Sequence, residues 1–61
     1  MLKVLIADDE PYVREGIKNI VPWEEVGFYV CGEGSDGDDT YNKICKLDPD
    51  LVLIDIKMPG K

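Results

Sequence analysis

Three short apolar runs, Leu2–Ala7, Phe28–Gly32 and Leu51–Ile54, alternate with two stretches whose apolar residues recur at helical spacing. No other feature constrains the fold as much, because β-α-β-α-β order predicts a parallel sheet with right-handed crossovers. The first run stops at Asp8, and the third has no polar residue inside it, as expected of strands covered on both faces. After the first run, Pro11 suits the first turn of a helix, where a missing N–H costs nothing. Val13, Ile17, Ile20 and Val21 then make a one-sided stripe, which Pro22 ends. Trp23–Gly27 reads as a connector, with Trp23 covering the base of a helix. Ser35 is expected to cap the second helix, backed by Asp38. Tyr41, Ile44 and Cys45 mark that helix's buried stripe, and Pro49 closes it.

A strand order of 2-1-3 would make the first strand central and put the two helices on opposite faces. The switch point then falls at the C-terminal ends of the first and third strands, where open α/β sheets bind ligands. Asp8 and Asp9 follow one of those strands and Asp55 follows the other. Carboxylates gathered in this way repel one another unless a cation or a proton intervenes. A hard divalent cation such as Mg²⁺ suits carboxylates, a carbonyl and water, and could neutralise a phosphoryl group that Asp55 attacks as nucleophile. Taken singly, each acid has a plainer account. Asp8, Asp9 and Glu10 can simply end a strand and favour the next helix's N-terminus, and Asp55 can simply precede a turn at Pro59–Gly60.

Composition excludes several classes. The chain has 61 residues, which bounds it to one small domain, and it shows no repeat or internal linker. Its net charge is −6 and its basic residues are scattered, which argues against nucleic-acid binding by this segment. It has no histidine, and Cys31 and Cys45 stand in no metal-binding spacing, so zinc is not expected. Both cysteines read as small apolar core residues in a reducing compartment. Nothing approaches the roughly 20 apolar residues that cross a bilayer, and Met1–Ala7 is too short for a signal peptide. A soluble, cytoplasmic protein is the expectation.

Ala7-Asp8-Asp9-Glu10 after the first strand, with Leu53-Ile54-Asp55-Ile56-Lys57-Met58-Pro59-Gly60 after the third, resembles the receiver domain of two-component response regulators. The Gly32-Glu33-Gly34-Ser35-Asp36-Gly37 turn before the second helix fits as well, so the resemblance covers essentially the whole chain. It implies half of a flavodoxin-like doubly wound sheet and a module that accepts a phosphoryl group from a histidine kinase rather than an enzyme. It makes Asp55 the phosphoacceptor, with Asp9, Asp55 and the backbone carbonyl of Lys57 holding Mg²⁺ and Asp8 assisting through water. Glu10 is mainly a helix-start residue. Val21-Pro22-Trp23-Glu24-Glu25-Val26-Gly27-Phe28 also looks like receivers fused to AraC-type helix-turn-helix domains.

The same resemblance implies a truncated receiver over residues 1–61. Fuller members have five strands, with a Ser or Thr after the fourth and a Lys after the fifth that have no counterpart here. A third strand with no outer neighbour would be a template for pairing. Two copies are therefore expected to associate, through helix faces or antiparallel contact of Leu51–Ile54. A chemically inert, self-associating half-domain is the alternative. A phosphohydrolase using Asp8 ranks last, since it wants a DxD pattern. Tyr12 and Arg14 flank the acids and read better as helix-surface residues than as a gate. Ser35–Asp39 lacks the spacing and terminal Glu of an EF-hand, and Gly32, Gly34 and Gly37 make no dinucleotide fingerprint.

Overall fold

The structure, a computed structural model, describes residues 1–54. Its elements run β1 (Leu2–Ala7), α1 (Pro11–Ile20), a 3₁₀ turn (Trp23–Val26), β2 (Phe28–Gly34), α2 (Gly37–Leu47) and β3 (Leu51–Ile54). The strands form one parallel sheet in the order β2-β1-β3, as the alternation predicted. Central β1 supplies the core: Val4, Leu5 and Ile6 are fully buried and Ala7 nearly so. Burying each of the three larger side chains contributes about 1.5–3 kcal/mol. Among the described residues, no helix is long and apolar enough to cross a membrane.

β1 and β2 pair from Leu2↔Phe28 to Ala7↔Gly34, with a register shift between Val4 and Leu5 that leaves Cys31 as the extra residue. That shift carries β2 two residues beyond the expected Gly32, so Gly32, Glu33 and Gly34 are strand rather than turn. Alternation along the strand then separates their faces. Glu33 points to α1, where Arg14 and Lys18 hold its carboxylate. Gly32 and Gly34 lie under α2: a Cβ on Gly34 would stand 2.1 Å from Thr40 Oγ1, and one on Gly32 would stand 2.8 Å from Leu47 Cδ1. The absent side chains are what let α2 approach β2.

α2 differs from its sequence reading in two ways. Its N-cap is Asp36, whose carboxylate accepts from the Asp39 N–H at 2.7 Å, and not Ser35. The Asp39 carboxylate reaches back to the Ser35 N–H at 2.9 Å, so the reciprocal capping pattern starts one residue later than expected. The buried stripe moves with it. Thr40 is buried, Ile44 and Leu47 are half-buried, and Tyr41 and Cys45 face outward. Cys45 is therefore no core residue, and Cys31 is half-buried with a free thiol. A contact face that must admit a helix against two glycines takes a small Thr at its centre, where Tyr41 would not fit.

The remaining connections are short and hydrogen-bonded. α1 keeps its expected start at Pro11 and ends before Val21. Gly27 closes the 3₁₀ turn at φ 88°, a left-handed conformation that glycine adopts without strain. Trp23 packs edge-to-face on Phe28, with centroids 6.2 Å apart. β3 is fastened to β1 by Lys3, whose N–H donates to the Asp50 carboxylate at 2.7 Å and whose Nζ donates to the Leu47 carbonyl at 2.8 Å.

Candidate functional site

The parallel register ends with Ala7 of β1 paired to both Gly34 of β2 and Ile54 of β3. The chain leaves the central strand into an acidic turn at that edge of the sheet. Asp8 is buried, at 8% exposure, and its N–H donates to the Gly34 carbonyl at 3.0 Å, which prolongs the β1–β2 ladder by one bond. Its carboxylate accepts the Glu10 N–H at 2.9 Å, which folds the turn back toward α1. A pocket of about 160 Å³ lies against it, lined by Ala7, Asp8, Ile17, Leu53 and Ile54.

Asp9 is exposed beside it. Desolvation, a hydrogen bond with the Asp8 side chain and the charges of Asp8 and Glu10 push its carboxyl above the ordinary range. Glu10 is engaged by the Tyr12 hydroxyl, whose pKa its carboxylate raises. Glu10 stands at the N-cap position of α1, and its side chain makes no capping hydrogen bond there. Among the described residues, neither Asp8 nor Asp9 forms a salt bridge, and no three or more potential ligand side chains gather into a metal-binding group. Asp55 and Lys57, the other expected site residues, lie outside the described residues.

Sequence reasoning missed the basic side of this turn. Arg14 is 15% exposed at its side chain and makes two contacts at once. Its Nη1 donates to the Asp8 carbonyl at 2.5 Å, and its Nε donates to the Glu33 carboxylate at 2.8 Å. Lys18, one helical turn on, donates to the other Glu33 oxygen at 2.6 Å, and Lys43 from α2 donates to the Glu33 carbonyl. Lys18, then Arg14, holds the Glu33 carboxyl below the usual range, and Glu33 in turn raises Lys18. The spacing of Arg14 and Lys18 was visible in the sequence. The strand residue they share emerges only from the Ile6↔Glu33 register.

Residues 4–61 match the model of the response regulator receiver domain. The chain belongs to that family. As a receiver it is similar to the transcriptional regulatory protein HptR of Staphylococcus aureus (strain NCTC 8325 / PS 47), 43% identical over 100% of this chain and 24% of that protein. It is 40% identical to the uncharacterized transcriptional regulatory protein YesN of Bacillus subtilis (strain 168), over 98% of this chain and 16% of that one. The receiver thus spans about a quarter or less of the length of these relatives. Its fold superposes on the receiver domain of AraT from Geobacillus stearothermophilus with a TM-score of 0.90 at 38% identity, covering 95% of this chain and 45% of that one. The TM-score to RcsB from Salmonella enterica serovar Typhimurium, solved with promoter rprA and BeF₃⁻, is 0.82 at 36% identity, over 98% of this chain and 29% of that one. Receivers of this kind are modules of transcriptional regulators in two-component systems.

Proposed function

We propose that this receiver accepts a phosphoryl group from a histidine kinase on Asp55, as an acceptor rather than an enzyme, in a cytoplasmic phosphorelay. The pairing of Ala7 with Ile54 carries the reading. Asp8 and Asp55 are the next residues in the chain after those two partners, so two acids succeed neighbouring, parallel strand ends. In the transfer, a carboxylate oxygen forms a bond to phosphorus while the bond from phosphorus to the donor imidazole breaks, and the imidazole leaves with the electron pair.

The donor set fits Mg²⁺. Asp8 and Asp9 are adjacent carboxylates with no basic partner among the described residues, and one of them is buried. Hard oxygen ligands with uncompensated charge are what such a cation prefers. Asp8, Asp9, Asp55 and the Lys57 carbonyl would hold it, and when bound it would supply charge neutralisation for the incoming phosphoryl oxygens. Arg14 is committed to the Asp8 carbonyl and Glu33, so its guanidinium does not pair with either carboxylate.

The test is adduct formation. The chain is incubated with Mg²⁺ and acetyl phosphate or beryllofluoride and followed by mass or by Trp23 fluorescence, with Asp55→Asn as control. An Asp55-dependent adduct is expected, and a chain that binds Mg²⁺ but forms none refutes the acceptor reading. A second reading rests on β3, which pairs among the described residues with β1 alone and leaves Leu51 and Ile54 38% and 51% exposed. An isolated chain of this length would self-associate along that edge, and sedimentation as a monomer at micromolar concentration refutes this.

A further inference from the structure

The geometry points to Arg14 as a positioning residue for the acidic turn: its guanidinium, braced by Glu33, fixes the Asp8–Asp9 peptide and thereby the aim of both carboxylates. This inference rests on the proposed Mg²⁺ role of those acids and adds to it a residue that touches neither ion nor phosphoryl group.

Four observations carry it. Arg14 Nη1 donates to the Asp8 carbonyl at 2.5 Å, and that carbonyl belongs to the peptide joining the two acids. An arginine fork held at two points is rigid where a single contact is not, and the second point is Glu33 Oε1 at 2.8 Å. Glu33 is itself immobilised. Its other oxygen accepts from Lys18 at 2.6 Å, its carbonyl accepts from Lys43, and its backbone lies within the β1–β2 ladder. The Asp8 N–H is bonded to Gly34, the next residue of β2. The acidic turn is therefore suspended from β2 by a backbone bond on its amino side and by the Arg14–Glu33 pair on its carbonyl side. Lys18 shares Glu33 but does not reach the turn, so its removal separates the shared brace from the direct contact with the Asp8–Asp9 peptide.

Outer partners that orient metal ligands typically change affinity by about 10- to 100-fold when removed. The experiment titrates Mg²⁺ calorimetrically into the chain and into Arg14→Gln, Arg14→Lys and Lys18→Gln, with urea midpoints recorded for all. Arg14→Gln should weaken Mg²⁺ binding by at least about 10-fold, and Lys18→Gln, which loses its pairs with Glu33 and Glu15 but no contact with the turn, should weaken it by less than about 3-fold. Arg14→Lys should recover only part of the loss, because one ammonium cannot span both partners. Phosphorylation of Arg14→Gln by acetyl phosphate should return toward the parent rate at saturating Mg²⁺. Equal weakening in Arg14→Gln and Lys18→Gln, or unchanged affinity in Arg14→Gln, overturns the positioning role while leaving the metal reading intact. A parent chain that takes up no Mg²⁺ refutes the metal reading and this inference with it.

Discussion

Gly34→Ala is the substitution that most directly tests how this half-sheet is assembled. The added Cβ would lie 2.1 Å from Thr40 Oγ1 and 3.0 Å from both Thr40 Cα and Cβ. A rotamer change can relieve the first contact but not the other two, so α2 must retreat from β2 by a few tenths of an ångström. Overpacking of this kind costs about 1–3 kcal/mol. The unfolded chain loses freedom on gaining a Cβ, which offsets about 0.4–1 kcal/mol. At central values, about 2 against about 0.7, a net loss of about 1.3 kcal/mol remains, which at roughly 4–8 °C per kcal/mol for a domain this small lowers Tm by about 5–10 °C.

Thr40→Ala supplies the second arm of a double-mutant cycle. Its hydroxyl is buried without a partner, so its removal alone should be neutral or slightly stabilising. In the Gly34→Ala background the same change removes the 2.1 Å clash and leaves the 3.0 Å contacts, giving a coupling of about 0.5–1.5 kcal/mol. Urea unfolding followed by Trp23 fluorescence measures all four corners of the cycle. A Gly34→Ala chain within about 0.5 kcal/mol of the parent, or additive behaviour of the pair, refutes the close-approach account. The consequence extends beyond stability, because the Gly34 carbonyl accepts from Asp8. Mg²⁺ affinity should fall with the helix shift.

Two further outcomes follow from the charges. The pKa of Asp9 is raised, so its contribution to stability is present below the ordinary aspartate value and lost as pH rises through the raised one. Asp9→Asn should therefore raise the urea midpoint at neutral pH without metal and remove the further rise that Mg²⁺ gives the parent; a lowered midpoint would refute this. The pKa of Glu33 is lowered, so its contribution is present above the ordinary glutamate value and fades as pH falls through the lowered one. Urea midpoints between pH 7 and about 3 should decline less in Glu33→Gln than in the parent, and parallel curves would show that the Arg14 and Lys18 pairs contribute nothing.

The bounds of β1 and the start of β3 were legible to the residue because both are apolar-rich runs, interrupted in β1 only by Lys3, a signal that does not depend on neighbours. β2 was not. Gly32, Glu33 and Gly34 have poor strand propensity, and they are strand only because β1 pairs with them past the extra Cys31. The cap of α2 was misplaced for a related reason. Ser35 and Asp36 are both good caps by type, and the choice falls to Asp36 because β2 runs on to Gly34 and the helix must begin with Thr40 over that glycine. Once the start is fixed, the buried face is fixed too, and Tyr41 and Cys45 turn outward.

The acids of the candidate site were readable for the same local reason as the strands they follow. What holds them was not. Arg14 reads as a surface residue because nothing within one helical turn along α1 explains it, and its partner is 19 residues away on a neighbouring strand. Desolvation and the neighbouring Asp8 push the Asp9 carboxyl above its ordinary range, and a turn that gathers like charges gains from an anchor outside it. Here it comes from α1, braced on the adjacent strand, and reaches the peptide rather than the carboxylates. Glu33 and Arg14 meet only through the Ile6↔Glu33 pairing, so the support of this turn is written in the register of the sheet and not in the motif.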